Sequence, residues 1–402
     1  MSVLRALPCG LSLAAFVVAA ACAAEDSAAG NILPVEPLNW MLDDIELTVG
    51  GLAGGAVSYS WQQRGPTSPG GYNHAQASGE VRSRLRVQRT LDNGMVLGAR
   101  TDLLLLHDRM AGDIYGSNFV ERLFAFAQTG FGRVEIGQQD GAAYQIGLTG
   151  PEIDPLVSLE ARKISLFRDP LTGRDFGRFF NQVTVVQSTS NDPKINYLTP
   201  RLFGIQLGAS FTPQTERSPL PWTGNPNNTP TEQHNIWETA ASYTGYISGI
   251  AVGVSAGYAQ GAQRHAVPQG DDLYDWSVGA ELAYMIDEIK VMAGGAYRGT
   301  NAYLFDVHEV FGHASTGGTH FSATVERGPW RLGAETSNAH ASGPVDFGIT
   351  GYQATLGYQF NQALQLNGGW QWYDYARNTG TFYNGRSAIQ MNAGYLALAY
   401  IL

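Results

Sequence analysis

Cysteine is almost missing from this sequence. Its two cysteines, Cys9 and Cys22, both fall within the first 24 residues. If that stretch is removed, the remaining chain has no thiol, which excludes disulfides, cysteine-bound zinc and a cysteine nucleophile. Charge is sparse at 15% of residues, and the formal net charge is −10, so the chain lacks the basic face that nucleic-acid phosphates need. After the first 24 residues no window reaches 18 consecutive apolar residues, which excludes a transmembrane helix. No glycine-rich loop has the spacing of a phosphate-binding loop.

The first 24 residues read as an export signal. Arg5 is a short positive region, Leu11 to Ala21 is apolar, and small residues follow at Cys22, Ala23 and Ala24. Its loss leaves 24 basic residues against 35 acidic ones, a net charge of −11. Acylation of Cys22 is the competing reading, but the residues before it are alanine back to Val18, a poor lipoprotein match. Residues 25–44, with Pro34, Pro37 and Trp40, are expected to be a lead-in or a segment lying against the fold.

What the sequence does contain is glycine, 49 residues, and aromatics: 8 Trp, 19 Tyr and 17 Phe. They are set in short segments that alternate apolar and polar side chains. Gly79 to Arg89 is the cleanest. Glu80, Arg82, Arg84, Arg86 and Gln88 share one face, and Val81, Leu85 and Val87 the other. Asp92-Asn93-Gly94 then makes a tight turn, because Asn and Gly tolerate positive φ. The next segment, Met95 to His107, carries Arg100 and Asp102 on one face.

Continued through residues 45–402, the pattern predicts sixteen strands, with tight turns and longer polar connections in alternation. Trp61, Trp237, Trp276, Trp330 and Trp372 fall near predicted strand ends, where amphipathic rings favour the headgroup level. An exported, all-β chain of this kind predicts a 16-stranded antiparallel transmembrane β-barrel in the outer membrane of a Gram-negative cell. An even strand count lets the last strand pair with the first and removes the edges that lipid does not tolerate. Two places break the parity. Arg122 shares a face with Phe124 and Phe126, which implies either an arginine facing lipid or a bulge. In the last strand the even positions change from Gln390 and Asn392 to Leu396, Leu398 and Tyr400.

The rhythm stops at roughly 140–193. That insertion holds Asp140, Glu152, Asp154, Glu160, Asp169 and Asp175, with Arg162, Lys163, Arg168, Arg174 and Arg178. Connections this long are functional or disordered. The expectation is that this one folds inward and narrows a pore.

Several stretches resemble the trimeric general porins of Gram-negative bacteria. They are Ser83-Arg84-Leu85-Arg86 before the Asp92–Gly94 turn, Phe126 to Gly137 across a Gly130-Phe131-Gly132 turn, Ile195 to Pro200 leading into Phe203-Gly204-Ile205, and Tyr400 two residues before Leu402. The family usually ends in Phe where Leu402 stands. The resemblance implies a homotrimer among outer-membrane lipids and lipopolysaccharide, with the third long loop folded into each barrel and its acidic groups facing arginines on the wall. On this reading the basic wall is Arg82, Arg84, Arg86 and Arg100, and the acidic side is Glu152 and Asp154. Arg84 and the Pro151-Glu152 pair match the family pattern; Ile153-Asp154 departs from it. Arg82 and Arg86 follow from parity, and Asp154 from its place beside Glu152.

Opposed charges across a narrow, poorly screened gap set a transverse field that a polar solute can align with. Pore size and lining charge then select among small hydrophilic solutes and ions. Three arginines at i, i+2 and i+4 repel by about 1 kcal/mol per close pair, which calls for acidic partners. The net charge favours cations through the whole-protein field; the arginines act at closer range in the opposite sense, and the expectation from sequence leans weakly to cations. Expected cofactors: none. Gly253-Val254-Ser255-Ala256-Gly257 has the spacing of a nucleophilic serine but no following helix. His308-Glu309 and His313 miss the zinc-protease spacing by one residue. The alternatives to passive diffusion are a substrate-specific channel using the insertion and Tyr303, a hydrolase using Ser255, and a plugged structural or adhesive barrel.

Overall fold

Alternation with period two has one outcome in a closed sheet: one side-chain set faces the apolar surroundings and the other faces inward. The computed structural model describes residues 38–62, 74–106, 120–160, 163–167, 184–189, 191–215, 233–263, 272–301, 315–342, 347–377 and 388–402. The expected export signal, residues 25–37, Arg162, Arg168, Asp169, Arg174, Asp175, Arg178, Tyr303 and His308 to His313 lie outside the described residues.

The strands are β1 (Leu38–Leu42), β2 (Ile45–Gln62), β3 (Ala75–Thr90), β4 (Val96–Leu106), β5 (Val120–Thr129), β6 (Gly132–Gln138), β7 (Pro193–Leu198), β8 (Ile205–Gln214) and β9 (Gln233–Ile247). They continue as β10 (Ile250–Gln263), β11 (Leu273–Ile286), β12 (Ile289–Thr300), β13 (Ser315–Arg327), β14 (Trp330–Ser342), β15 (Phe347–Gln359), β16 (Leu364–Arg377) and β17 (Ala388–Ile401). From β2 to β17 each strand pairs antiparallel with the next, and β17 pairs back to β2 from Met391↔Gln62 to Ile401↔Leu52. This closes a barrel of sixteen strands, at boundaries a few residues from those the alternation predicts. The tight turns form where the chain tolerates left-handed backbone: Gly94 at φ 79°, Ser248-Gly249 at 51° and 84°, Asp287 at 52° and Gly328 at 55°.

β1 is an added piece. It forms a hairpin with the lower part of β2, Leu38↔Val49 to Leu42↔Ile45. β17 ends above it, where Gly51 and Leu402 exchange backbone hydrogen bonds of 2.9 Å. The lead-in therefore continues into the sheet, covering the edge of β2 that β17 leaves open.

The outward set is apolar. Leu123, Ile136, Leu207, Val278, Leu332, Leu356 and Leu396 are all exposed. Aromatic pairs sit among them: Phe211–Trp237 at 4.5 Å, Trp330–Tyr358 at 4.8 Å, Trp276–Tyr297 at 5.1 Å and Tyr352–Trp372 at 5.4 Å between ring centroids.

Both parity problems resolve. Arg122 does not face lipid: Phe124 and Phe126 turn inward with it and are buried. A bulge does exist, one residue earlier, where Leu103 pairs Val120 but Asp102 pairs Arg122, which leaves Glu121 unpaired. In β17 the register runs without a break. Its even positions face outward throughout, with Leu396, Leu398 and Tyr400 exposed, and its inward set is Met391, Ala393, Tyr395, Ala397 and Ala399, all buried.

Candidate functional site

Two inward regions carry charge, and they use it differently. The first is on β3 to β6. Inward parity brings together Glu80, Arg82, Arg84, Arg86, Arg100, Asp102, Arg122, Arg133 and Glu135, and the bulge adds Glu121. Asp102 is the hub. It accepts two hydrogen bonds of 2.9 Å from Arg100, one of 3.0 Å from Arg122, and lies 3.4 Å from Arg84. Arg82 pairs with Glu80, and with Glu121 at 2.6 Å. Arg122 also reaches Asp140 at 2.6 Å. Arg133 pairs with Glu135 at 2.7 Å. Phe126 lies between the guanidiniums of Arg86 and Arg133, 5.0 and 4.2 Å from its ring centre. The repulsion of an i, i+2, i+4 arginine row is thus relieved by carboxylates and π faces of the same wall.

The second region is the wall from β8 round to β17 and β2, and the described parts of the insertion run along it. A single helical turn, α1 (Ala142–Gln145), begins it. Wall carboxylates then take the free amides of the segment. Glu238 accepts from the N–H of Ala143 at 3.4 Å and from the Thr189 hydroxyl. Glu281 accepts from Gly150 at 3.0 Å, and Glu335 from Leu159 at 2.6 Å and the Ser158 hydroxyl at 3.0 Å. Asp275, held by Arg298 at 2.7 Å, accepts from Gln187 and Ser188. Ser255 accepts from Leu148 at 2.8 Å, so the serine of the G-x-S-x-G stretch lies within β10 and fastens the segment. At β11 and β12 the contact is backbone on backbone: a side chain at Gly279 would strike Leu148, and one at Gly294 would strike Gly150.

Farther round, the fastening is apolar. Leu156, Val157, Leu159, Ile164, Leu166 and Phe167 are buried against Leu52, Ala56, Ile349, Tyr373, Met391 and Tyr395. The Phe167 and Tyr373 rings meet edge to face at 5.4 Å. Full burial of side chains this size stabilises by about 1.5–3 kcal/mol each.

The predicted residues therefore divide. Arg82, Arg84, Arg86 and Arg100 come together on one wall. Glu152 and Asp154 are not brought to them. Glu152 lies 3.7 Å from Lys163, and its other charged neighbours are Asp154, Arg331 and Glu335. Asp154 is fully buried and accepts from the amides of Leu156 and Val157 at 2.8 and 3.1 Å, an Asx turn that shapes the segment. Burial pushes the carboxyls of Glu152, Asp154 and Glu160 above their ordinary range, against the pull of Lys163 on the first, those two amides on the second, and His320 and Thr184 on the third. The sequence reading puts Asp102 on a face with Arg100 and Glu80 on a face with Arg82 but does not pair them. Asp102 and Glu80 had a signal, since each is two residues from an arginine on the same face. Glu238, Asp275, Glu281 and Glu335 had a weaker one: each is a carboxylate among small residues in the inward set of its strand.

A closed, even-stranded antiparallel barrel with an outward apolar band, aromatic pairs and a charged interior is an outer-membrane β-barrel. Residues 11–396 match the model of the Gram-negative porin family, and the chain belongs to that family. It is an outer-membrane porin channel. Solved structures share the fold. The outer membrane channel DcaP of Acinetobacter baumannii superposes with a TM-score of 0.57 at 10% identity, over 92% of this chain and 100% of that one. OmpT of Vibrio cholerae gives 0.54 at 12% identity, over 91% and 100%. An anion-selective porin from Comamonas acidovorans gives 0.53 at 12% identity, over 89% and 100%. Among curated proteins none matches.

Proposed function

We propose that the insertion lies in the lumen and narrows it from one side, and that small hydrophilic solutes and ions diffuse passively between it and the arginine wall. No reaction accompanies passage, and no cofactor is required. The observation that carries this reading is the contrast between the two walls: the segment is fastened to β8–β17 and β2, while the side chains of Arg82 and Arg84 on β3 and Arg122 on β5 stay partly open and Arg100 on β4 is buried. The Arg84 side chain is 38% exposed and that of Arg82 31%, against 8% for Asp102 and 2% for Glu80. Counted charges nearly balance there, but a passing solute meets the arginines. Close-range charge outweighs the distant net charge in a confined path, so the reading favours small anions over cations.

The chain functions as a homotrimer in lipopolysaccharide-bearing membrane on this proposal; a trimeric form of Vibrio cholerae OmpT, 11% identical, supports it. The test is single-channel conductance in a planar bilayer under a salt gradient. Steps that occur in threes and scale linearly with salt support the reading, and the reversal potential gives its sign. Small steps blocked by one solute sink it in favour of a substrate-specific channel.

A further inference from the structure

His320 on β13 and Glu335 on β14 lie side by side on the inward face, in the register Ser322↔Glu335 and His320↔Ser337. Both are buried. Each ring nitrogen of His320 faces an acceptor. Nδ1 is 2.9 Å from the carbonyl oxygen of Thr149, and Nε2 is 2.9 Å from Oε2 of Glu335. A carbonyl cannot donate, so Nδ1 carries a proton. The contact between Nε2 and the carboxylate then needs a second proton, on the ring or on the oxygen. The pair thus holds one proton more than a neutral imidazole beside an ionised carboxylate.

The other attachments of Glu335 give the pair a purpose. Its Oε1 accepts from the amide of Leu159 at 2.6 Å and its Oε2 from the hydroxyl of Ser158 at 3.0 Å. The two side chains together grip the insertion at Thr149 and again at Ser158 and Leu159. We propose that His320 and Glu335 are positioning residues of the channel: a clamp, closed by one shared proton, that fixes residues 149–159 against the wall and whose deprotonation frees them and widens the passage. The clamp rests on the reading that the insertion narrows the lumen.

The groups facing the pair come from several elements. Glu160 of the insertion and Glu281 of β11 act on His320. Glu152 and Asp154 of the insertion, and the phenol of Tyr395 on β17, act on Glu335. The cations Lys163 and Arg331 lie by Glu152. Once the shared proton leaves, the acceptors Thr149 and Glu335 compete for one ring hydrogen, and a buried carboxylate keeps its charge without its partner.

The experiment is single-channel conductance of the full chain from about pH 5 to pH 10, with amide exchange of the peptide covering 149–159 read in parallel and normalised to the intrinsic exchange rate at each pH. The wild type is expected to step up in conductance and exchange at one pH. His320→Gln, which has no titrating ring, loses the step. Glu335→Gln removes the adjacent negative charge and moves the step down by about 1–3 pH units; it serves if His320→Gln does not assemble. A wild-type step that His320→Gln and Glu335→Gln leave in place overturns the clamp. Exchange that steps while conductance stays flat keeps the clamp and overturns the narrowing reading instead.

Discussion

The arginine wall on β3 to β6 and the wall from β8 round to β2 spend their carboxylates differently. On the first, Asp102, Glu80 and Glu121 pair with guanidiniums of their own wall. On the second, Glu238, Glu281 and Glu335 pair with backbone amides of the insertion. A carboxylate beside a guanidinium leaves a wall standing by itself, with its long cationic ends toward the water. A carboxylate capped by amides needs the segment that supplies them. The same residue type thus makes one wall a surface and the other a dock. On the proposed reading, the selectivity of the channel belongs to the first and its width to the second.

The comparison breaks most easily at the apolar part of the dock. Phe167 is fully buried against Tyr373. Phe167→Ala is expected to cost the docked state about 3–5 kcal/mol. Proteolysis of the insertion should speed up and single-channel current should become larger and noisier, with the reversal potential unchanged. An unchanged proteolysis rate would mean that the wall carboxylates hold the segment without help.

Asp102→Asn makes the converse test on the arginine wall. It removes the charge shared by Arg84, Arg100 and Arg122. Breaking one partner of a buried ion pair costs about 3–5 kcal/mol; Arg122 keeps Asp140, so the lower end is expected. Thermal unfolding in detergent measures this. The reversal potential should move toward anions. Arg84→Glu changes less structure, because Arg84 is more than a third exposed and its pair is worth about 0–1 kcal/mol. It should move the reversal potential toward cations with the unfolding temperature nearly constant. A potential that ignores Arg84→Glu would place the solute path away from this wall.

The barrel was legible because period two is a local signal: strand limits, turn positions and the inward arginines all follow from neighbouring residues. The site was legible only as far as parity reaches. Asp102 belongs with Arg100 and Arg122 through strand pairing, and a bulge at Glu121 carries that residue to Arg82. The insertion offered no period. Its acidic residues drew attention as charges, while its scattered apolar residues, Leu156, Val157, Leu159, Ile164, Leu166 and Phe167, are what pack against the wall. Asp154 was read from its place beside Glu152, and that place says nothing of its local bonds: its carboxylate accepts from amides two and three residues on and closes a turn. The apolar inward face of β17 could not be assigned alone, because small alanines read as neither lipid-facing nor polar until a partner covers them.

The smallest predicted effect is also the one that separates burial from pairing in the dock. Glu152, Asp154 and Glu160 all have carboxyls raised by burial. For a raised group, the docked state is favoured fully below the ordinary carboxylate value of about 4 and loses that advantage as pH rises through the docked value, because ionisation is then easier undocked. Acid should therefore tighten the insertion and rising pH should loosen it, a drift spread over three groups that His320→Gln leaves in place, whereas the clamp's step is lost in that variant. Asp154→Asn tests one member. The amide oxygen can still accept from Leu156 and Val157, so the turn survives, while the ionisation is gone. The variant should match the wild type in acid and resist proteolysis of the insertion slightly better at neutral pH. Faster proteolysis at neutral pH would instead mean that the ionised carboxylate holds those two amides by more than its burial costs.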